Sequence, residues 1–427
     1  MWNNDAYDRN VNLKSGRPST VLLRSKKCFL IFLSALFLCL LFLGKEQETL
    51  QQIGIKETLT VKKYDGTWRN LSAEEKSRLS VLGRILFLEE DRPPQKDQQF
   101  LVLFWKYGKF IKDRHLNYYT KETHNPLEDC SVNNCKFSFD DKDLKSADLV
   151  VFHLHRTKGL EDLPPKRGRT DQIWTFLTDE SPHHTFLKRS VDIKQFNGKF
   201  NWSMTYRMDS DVPVPYGRTR KLTGEVLAKK TETPKKRRDK LVTILGSNCG
   251  GKNRRWDYVR KLNKSIGLDV FGRCGNKTAC PGHFKSDCPA IDNYLFYLSF
   301  ENSDCREYIT EKVFWNGYHK NSIPIVMGYN KKTYEKLLPP NSFLHVDDYA
   351  SPSDLARMIL NLNETENYKD YFQWKKNYEV VDEHGYFKSK SYHLCRICEA
   401  LNFNNRIPKV YDKLEDFWNK SKDCSDS

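Results

Sequence analysis

The densest chemistry in this chain lies between Phe300 and Lys312, in Phe300-Glu-Asn-Ser-Asp-Cys-Arg-Glu-Tyr-Ile-Thr-Glu-Lys312. An apolar run, Tyr294 to Phe300, reads as a buried strand that ends in Glu301-Asn302-Ser303. Thr310 is a helix N-cap by type, which puts Glu311 and Lys312 in the first turn. The N–H groups and dipole of a helix start suit a phosphate, and Lys312 adds a point charge there. Glu311 is costly beside phosphate unless it accepts hydrogen bonds from a ribose diol. Asn302 completes the polar cluster, and Tyr308 can cover a base or phosphates. An ordinary surface ion pair would account for Glu311 and Lys312 alone. It does not account for a polar cluster bracketed by two apolar strands, so the segment reads as a grip on a nucleotide.

Two more places carry chemistry. Asp179-Glu180-Ser181-Pro182 follows the apolar run Gln172 to Leu177. A carboxylate at a strand's carboxyl end suits a general base, with Asp179 as the fallback and capping of the next turn as the structural alternative. Ser247-Asn248-Cys249 follows Leu241 to Leu245, and Arg255 comes near the start of the next helix, where a diphosphate contact is expected. Asp209-Ser-Asp211 has the letters of a metal-binding D-x-D.

The elements that must position these residues follow from apolar periodicity. Strands are expected at 99–105, 148–154 and 172–177, then at 241–245, 268–271, 294–300 and 322–326, with helices at 254–264, 311–320 and 352–362. Strand–helix alternation means parallel sheets. Two such halves, joined by the basic segment 229–240, predict an α/β protein of two doubly wound, Rossmann-like domains with ligands in the cleft between them. The 427 residues and 38% hydrophobic content allow two such cores.

Cys28 to Gly44 is uncharged and apolar, preceded by Arg17, Arg24, Lys26 and Lys27. It is at the short end of what spans a bilayer. The positive-inside rule leaves the N-terminus cytosolic and the rest translocated. The expected order is a tail at 1–27, a signal-anchor at 28–44 and a stem at 45–97. Residues 78–90 of that stem have some helical character, which suits packing on the body. Six sequons, at Asn70, Asn201, Asn263, Asn276, Asn363 and Asn419, fit a lumenal body. So does the cysteine usage, since all of the twelve except Cys28 and Cys39 lie beyond the anchor, where disulfides persist. The net charge of +16 alone would suit nucleic acid, but a lumenal body excludes that partner and leaves a phosphate-bearing donor.

F-E-N-S, Y-I-T-E-K and I-P-I-V-M-G, in this spacing, resemble the signature of the α1,3-fucosyltransferases of glycosyltransferase family 10. The resemblance runs roughly from Gln98 to Cys398. It implies type II Golgi membrane enzymes of GT-B architecture that use GDP-fucose. On this basis 98–228 is the acceptor-side domain, 241–394 binds the donor, and 395–427 returns to the first domain. Ser247, Asn248, Arg255, Asn302, Tyr308, Thr310, Glu311 and Lys312 fall to the donor, and Glu180 to the base. Arg207 and Asp209, in a block similar to the family's Y-R-x-D-S-D, organise the cleft, so no metal site is expected there. The family's habit of bridging its ends implies Cys130–Cys395 and Cys135–Cys398 rather than zinc. No cofactor is required, with stimulation by Mn2+ or Mg2+ left open. The expected acceptor is the N-glycan core, with a terminal N-acetyllactosamine or a non-catalytic glycan-binding role as alternatives. A homodimer is compatible. Leu295 stands where the family often has a basic residue, which predicts an altered donor contact. With base and donor grip in different domains, catalysis should require the cleft to close.

Overall fold

Short, uninterrupted apolar runs build the centre of this protein, as seen in a computed structural model that describes residues 69–117, 125–188, 190–223, 234–275, 277, 287–386 and 389–425. The cytosolic tail, the anchor, the first part of the stem, residues 229–233, Asn276 and Cys280 lie outside the described residues. Among the described residues no helix is long and apolar enough to cross a membrane.

Six strands form the first sheet: β1 (Phe100–Phe104), β2 (Cys135–Ser138), β3 (Leu149–His153), β4 (Ile173–Thr178), β5 (Trp202–Thr205) and β6 (Val212–Pro213). Their order is β2-β1-β3-β4-β5-β6, and every pairing is parallel. Every residue of β3 and β4 is buried, which is why these runs are apolar on both faces rather than alternating. The second sheet contains β8 (Val242–Leu245), β9 (Asp269–Phe271), β10 (Phe296–Phe300), β11 (Ile323–Met327) and β12 (Leu344–His345). It is also parallel, in the order β12-β11-β10-β8-β9. β4 and β10 are both interior strands, so the residues that follow them emerge mid-sheet at the carboxyl ends, where such folds place ligands.

The helix Pro352–Glu364 starts with Pro at its first position and Ser351 accepting from the Asp354 N–H. Its Leu355, Ile359 and Leu362 pack with Val259 and Leu262 of the helix Arg255–Ile266 against the second sheet. Between the sheets, β7 (Gly217–Lys221) pairs antiparallel with β13 (Tyr378–Asp382). Thus the chain crosses back before its end. The helix His393–Phe403 then buries Leu394, Ile397, Ala400 and Leu401 against the first sheet.

The helical stretch expected at 78–90 is present and packs on the body, preceded by a second short helix. Ser72 and Glu75 form a capping box for the helix Ala73–Arg78, and Ser80 caps Val81–Leu88. Leu82, Ile85, Leu86 and Phe87 join the first sheet's core. The apolar face of the second helix makes residues 71–88 part of the body.

Disulfides Cys130–Cys395 and Cys135–Cys398 fasten the returning helix to the loop before β2 and to β2 itself, the pairing that the resemblance implies. Cys249–Cys274 and Cys305–Cys424 are two further bridges. Of the sequons, Asn70 and Asn263 are exposed. Asn201 is not idle: its Oδ1 accepts from Arg167 and the Trp174 N–H, and its Nδ2 donates to the Lys409 carbonyl. A glycan there competes with the last of these bonds. Asn419 caps a short turn through the Ser421 N–H, and Asn363 is half-buried.

Candidate active site

Thr178 ends β4, and Asp179, Glu180 and Ser181 turn out from the sheet. Glu180 is half-buried, and its Oε2 accepts from the Tyr308 hydroxyl at 3.1 Å. Ser181 Oγ meets Ser303 Oγ at 2.8 Å, both buried. Each of these bonds joins the first sheet to the loop after β10. The two walls of the site therefore touch in this structure. Tyr308 is itself buried, so it bridges to Glu180 rather than standing as an open cover over the cleft.

Asp179 has a different environment. It is buried, with Oδ1 3.1 Å from His393 Nε2 and Oδ2 3.2 Å from Arg114 Nη1. Burial opposes its charge, but His384 and His393 hold its carboxyl well below the usual range. A carboxylate so stabilised is a weak base. Glu180, with one hydrogen bond and a share of solvent, is the group placed to take a proton.

On the donor side the central residue is Glu301, which the sequence reading passed over as part of a strand end. It is fully buried and accepts from the Thr310 N–H at 2.8 Å, from Thr310 Oγ1 at 2.9 Å and from Lys312 Nζ at 3.0 Å. Its signal was present in the sequence: a carboxylate ending an apolar strand must find partners, because an unpaired buried charge is prohibitive. Lys312 also donates to Thr310 Oγ1 at 2.9 Å and Glu311 Oε1 at 3.2 Å. Burial works against the ammonium, yet Glu301 and Glu311 hold its pKa above the ordinary lysine value. Thr310 is the N-cap, as its type suggested. The helix begins at Glu311–Val313 but continues as a π-helix over Phe314–His319, not as α-helix to Lys320.

Asn302, Ser247 and Asn248 lie in the loops beside this helix start. The Asn302 side chain accepts from Ser303 Oγ and its carbonyl from the Lys252 N–H. Asn248 Oδ1 accepts from the Gly250 N–H, and the Ser247 carbonyl from Arg273. Arg255 starts its helix as expected, but its guanidinium is buried and turned inward. Nη1 donates to the Phe300 carbonyl at 3.0 Å, and Nη2 to the carbonyls of Asn248 at 2.7 Å and Gly250 at 3.2 Å. Arg255 thus ties the end of β10 to the loop after β8, and only its buried Nε lacks a protein partner.

Arg207 and Asp209 form a buried ion pair at 2.7 Å. Arg306, from the donor loop, also reaches Asp209 at 2.6 Å, and Arg207 reaches Asp423 at 3.2 Å. This network joins the first sheet, the donor loop and the chain's end, beside Cys305–Cys424. Burial pushes the Asp209 carboxyl up to about 6. Asp211 accepts from the Ser203 N–H, Tyr411 and Lys409. The two carboxylates of the D-x-D are thus occupied by protein donors. Leu295 is fully buried in the core, just before β10. It lies about 17 Å, a five-residue strand length, from the donor end.

His153, at the end of β3, is buried and stacked on Phe110 at 5.6 Å. Burial pushes it down from 6.5 to about 3. The unfolded chain therefore takes up a proton that the folded one refuses. The stability due to this group is fully present above pH 6.5 and drains as pH falls toward 3. His153→Phe should flatten the pH dependence of urea unfolding between pH 6.5 and 4.5, recovering about 2 kcal/mol relative to wild type over that window. An unchanged slope would mean that His153 is protonated in the fold.

Comparison with known proteins bears on all of this. A family model described as "Glycosyltransferase family 10 (fucosyltransferase) C-term" matches residues 235–418, and "Fucosyltransferase, N-terminal" matches residues 97–217. Alpha-(1,3)-fucosyltransferase 7 of Rattus norvegicus is 33% identical over 286 residues, 67% of this chain and 72% of that protein. Glycoprotein 3-alpha-L-fucosyltransferase A of Drosophila melanogaster is 31% identical over 302 residues, 69% of this chain and 56% of that protein. A solved α1,3-fucosyltransferase with GDP-fucose aligns at a TM-score of 0.46 and 16% identity over 75% of this chain and 96% of that one, too slight a likeness to argue from. On the strength of the family matches and the relatives, the chain belongs to the fucosyltransferases of glycosyltransferase family 10.

Proposed function

We propose that this protein is an inverting α1,3-fucosyltransferase that moves L-fucose from GDP-fucose to N-acetylglucosamine of glycoprotein glycans, the N-glycan core first among them. It would act in the Golgi lumen, held by the signal-anchor at 28–44. The observation that carries the reading is the meeting of Glu180 with the donor loop through Tyr308, beside a helix start that presents Lys312. Glu180 takes a proton from the acceptor hydroxyl. That oxygen attacks the anomeric carbon of fucose from the face opposite GDP, through a transition state with oxocarbenium character. GDP departs with charge growing on its β-phosphate, which Lys312 and the N–H groups of the helix start stabilise. This cation and these N–H groups can do the work of a metal, so turnover should persist in EDTA, with any gain from Mn2+ or Mg2+ read in the same assay.

A Lewis-type acceptor is the second reading. Relatives named for a glycoprotein acceptor and for a 4-galactosyl-N-acetylglucosaminide acceptor match at 31% and 33% identity, too close to choose between them. The test is a panel of N-glycan-core and N-acetyllactosamine acceptors given to residues 64–427, the unit that holds both sheets, with linkage analysis of products. Fucose in α1,3 linkage on the innermost N-acetylglucosamine is the expected result. Product on lactosamine alone would select the second reading. GDP binding without turnover on any acceptor would leave only a glycan-binding relative.

A further inference from the structure

Next to the base lies a group of buried side chains that the reaction above does not use. Asp179 Oδ1 lies 3.1 Å from His393 Nε2, and Oδ2 lies 3.2 Å from Arg114 Nη1 and 3.5 Å from His384 Nε2. Its backbone carbonyl accepts from the Tyr216 hydroxyl at 2.8 Å. His393 Nδ1 is 3.3 Å from Ser391 Oγ, which is 2.8 Å from His115 Nδ1. One direction satisfies the whole row: His115 Nδ1–H donates to Ser391, the Ser391 hydroxyl to His393, and His393 Nε2–H to Asp179. His384 stacks on Tyr216 at 4.0 Å, and its strand bridge to Ser391 sets both residues in place.

We infer that Asp179 is the positioning residue for Glu180, and that His384, Ser391 and His393 supply the bed on which Asp179 is held. Glu180 has few constraints of its own. Its neighbours carry them: Asp179 is anchored through both side-chain oxygens and its carbonyl, and Ser181 is bonded to Ser303. The backbone of Glu180 is held between these anchors, so the base is aimed by the residues flanking it. Burying a fully bonded carboxylate one residue from the base makes sense as a means of fixing direction, since the network gains orientation rather than net stability. Most of the bed comes from the far end of the chain. His393 begins the helix that Cys130–Cys395 and Cys135–Cys398 fasten to the first sheet. Those bridges then reach the reaction through His393 and Asp179.

This inference rests on Glu180 being the base, and the two can fail separately. His393→Ala should lower kcat for fucose transfer about tenfold to a hundredfold, as expected of a misdirected catalytic group. KM for GDP-fucose should stay within about twofold, because Lys312 and Glu301 are held by each other and by Thr310 and not by His393. His393→Gln, whose amide can replace Nε2–H, should recover most of the loss. Ser391→Ala, which opens almost no cavity, should move kcat the same way by less. The acid limb of the kcat/KM pH profile should keep its midpoint in all three. Wild-type kcat in His393→Ala would overturn the inference, as would a glutamine variant no better than alanine. A shifted acid limb in His393→Gln would make the Asp179–His393 pair the proton acceptor and also overturn it. A stoichiometric metal ion that co-purifies with wild type and is lost in His393→Ala would do the same, because His115, Asp179 and His393 would then be ligands. Failure of the Glu180 reading instead shows as a Glu180→Gln enzyme that still turns over.

Discussion

Glu180→Gln should lower kcat for fucose transfer by about a thousandfold while leaving GDP affinity within twofold of wild type. Glutamine matches glutamate in volume, and its amide oxygen can still accept from Tyr308, so the link between the walls is preserved. What is lost is the ability to carry a proton. The donor charges are not disturbed, because Glu301, Glu311 and Lys312 are bonded to each other and to Thr310, not to Glu180. Transfer to an acceptor and slow hydrolysis of GDP-fucose should be followed together. A fall in both would point to a damaged donor site. Full activity would remove Glu180 from the role, and Asp179, held below the usual carboxylate range, would be a poor replacement.

Lys312→Ala should weaken GDP binding by at least thirtyfold, about 2 kcal/mol for a charged phosphate contact. It should also destabilise the protein by about 3–5 kcal/mol, because Glu301 is left buried without its counter-charge. The second effect could be mistaken for the cause of the first. Glu301→Gln with Lys312→Met separates them. The double variant removes the charge from both partners, keeps their volumes and leaves the glutamine oxygen to accept from Thr310. Denaturant unfolding should return close to wild type, while calorimetry with GDP still shows weak binding. Recovery of GDP affinity along with stability would make Lys312 structural and move the phosphate contact elsewhere.

Most of the parallel core was legible because continuous apolar runs are the signature of strands covered on both faces. β1, β3, β4, β8, β9, β10 and β11 appear within one or two residues of their expected positions. The elements that were not legible have mixed composition. β7 is Gly-Arg-Thr-Arg-Lys, with an exposed outer end, and it becomes a strand only because β13 arrives beside it from 378–382. At the site, the donor cluster was readable because its members are local in sequence. The bed under Asp179 was not, since His115, His384 and His393 are scattered along the chain and each alone resembles an ordinary core histidine. Arg255 was placed correctly by its position after β8, but its direction depended on backbone carbonyls that no spacing encodes.

The returning helix His393–Phe403 has a consequence for how the protein is made. Its apolar face completes the core of the first sheet, and its two disulfides span sequence separations of 265 and 263 residues. As the chain emerges during synthesis, β1 to β6 are available long before the segment that covers them. Contacts of such separation form late, and an uncovered sheet meanwhile is prone to wrong pairing. Release of the C-terminus is therefore the event that ends the vulnerable period, and the order of oxidation matters, because an early bridge between Cys130 and Cys135 would bar both native pairs. A chain stopped at residue 392 should leave its first sheet bare along the face that Leu394, Ile397 and Leu401 normally fill. Such a product would be retained with chaperones and appear as mixed disulfides on non-reducing gels, whereas a product free of both would show that the first sheet can fold without its cover.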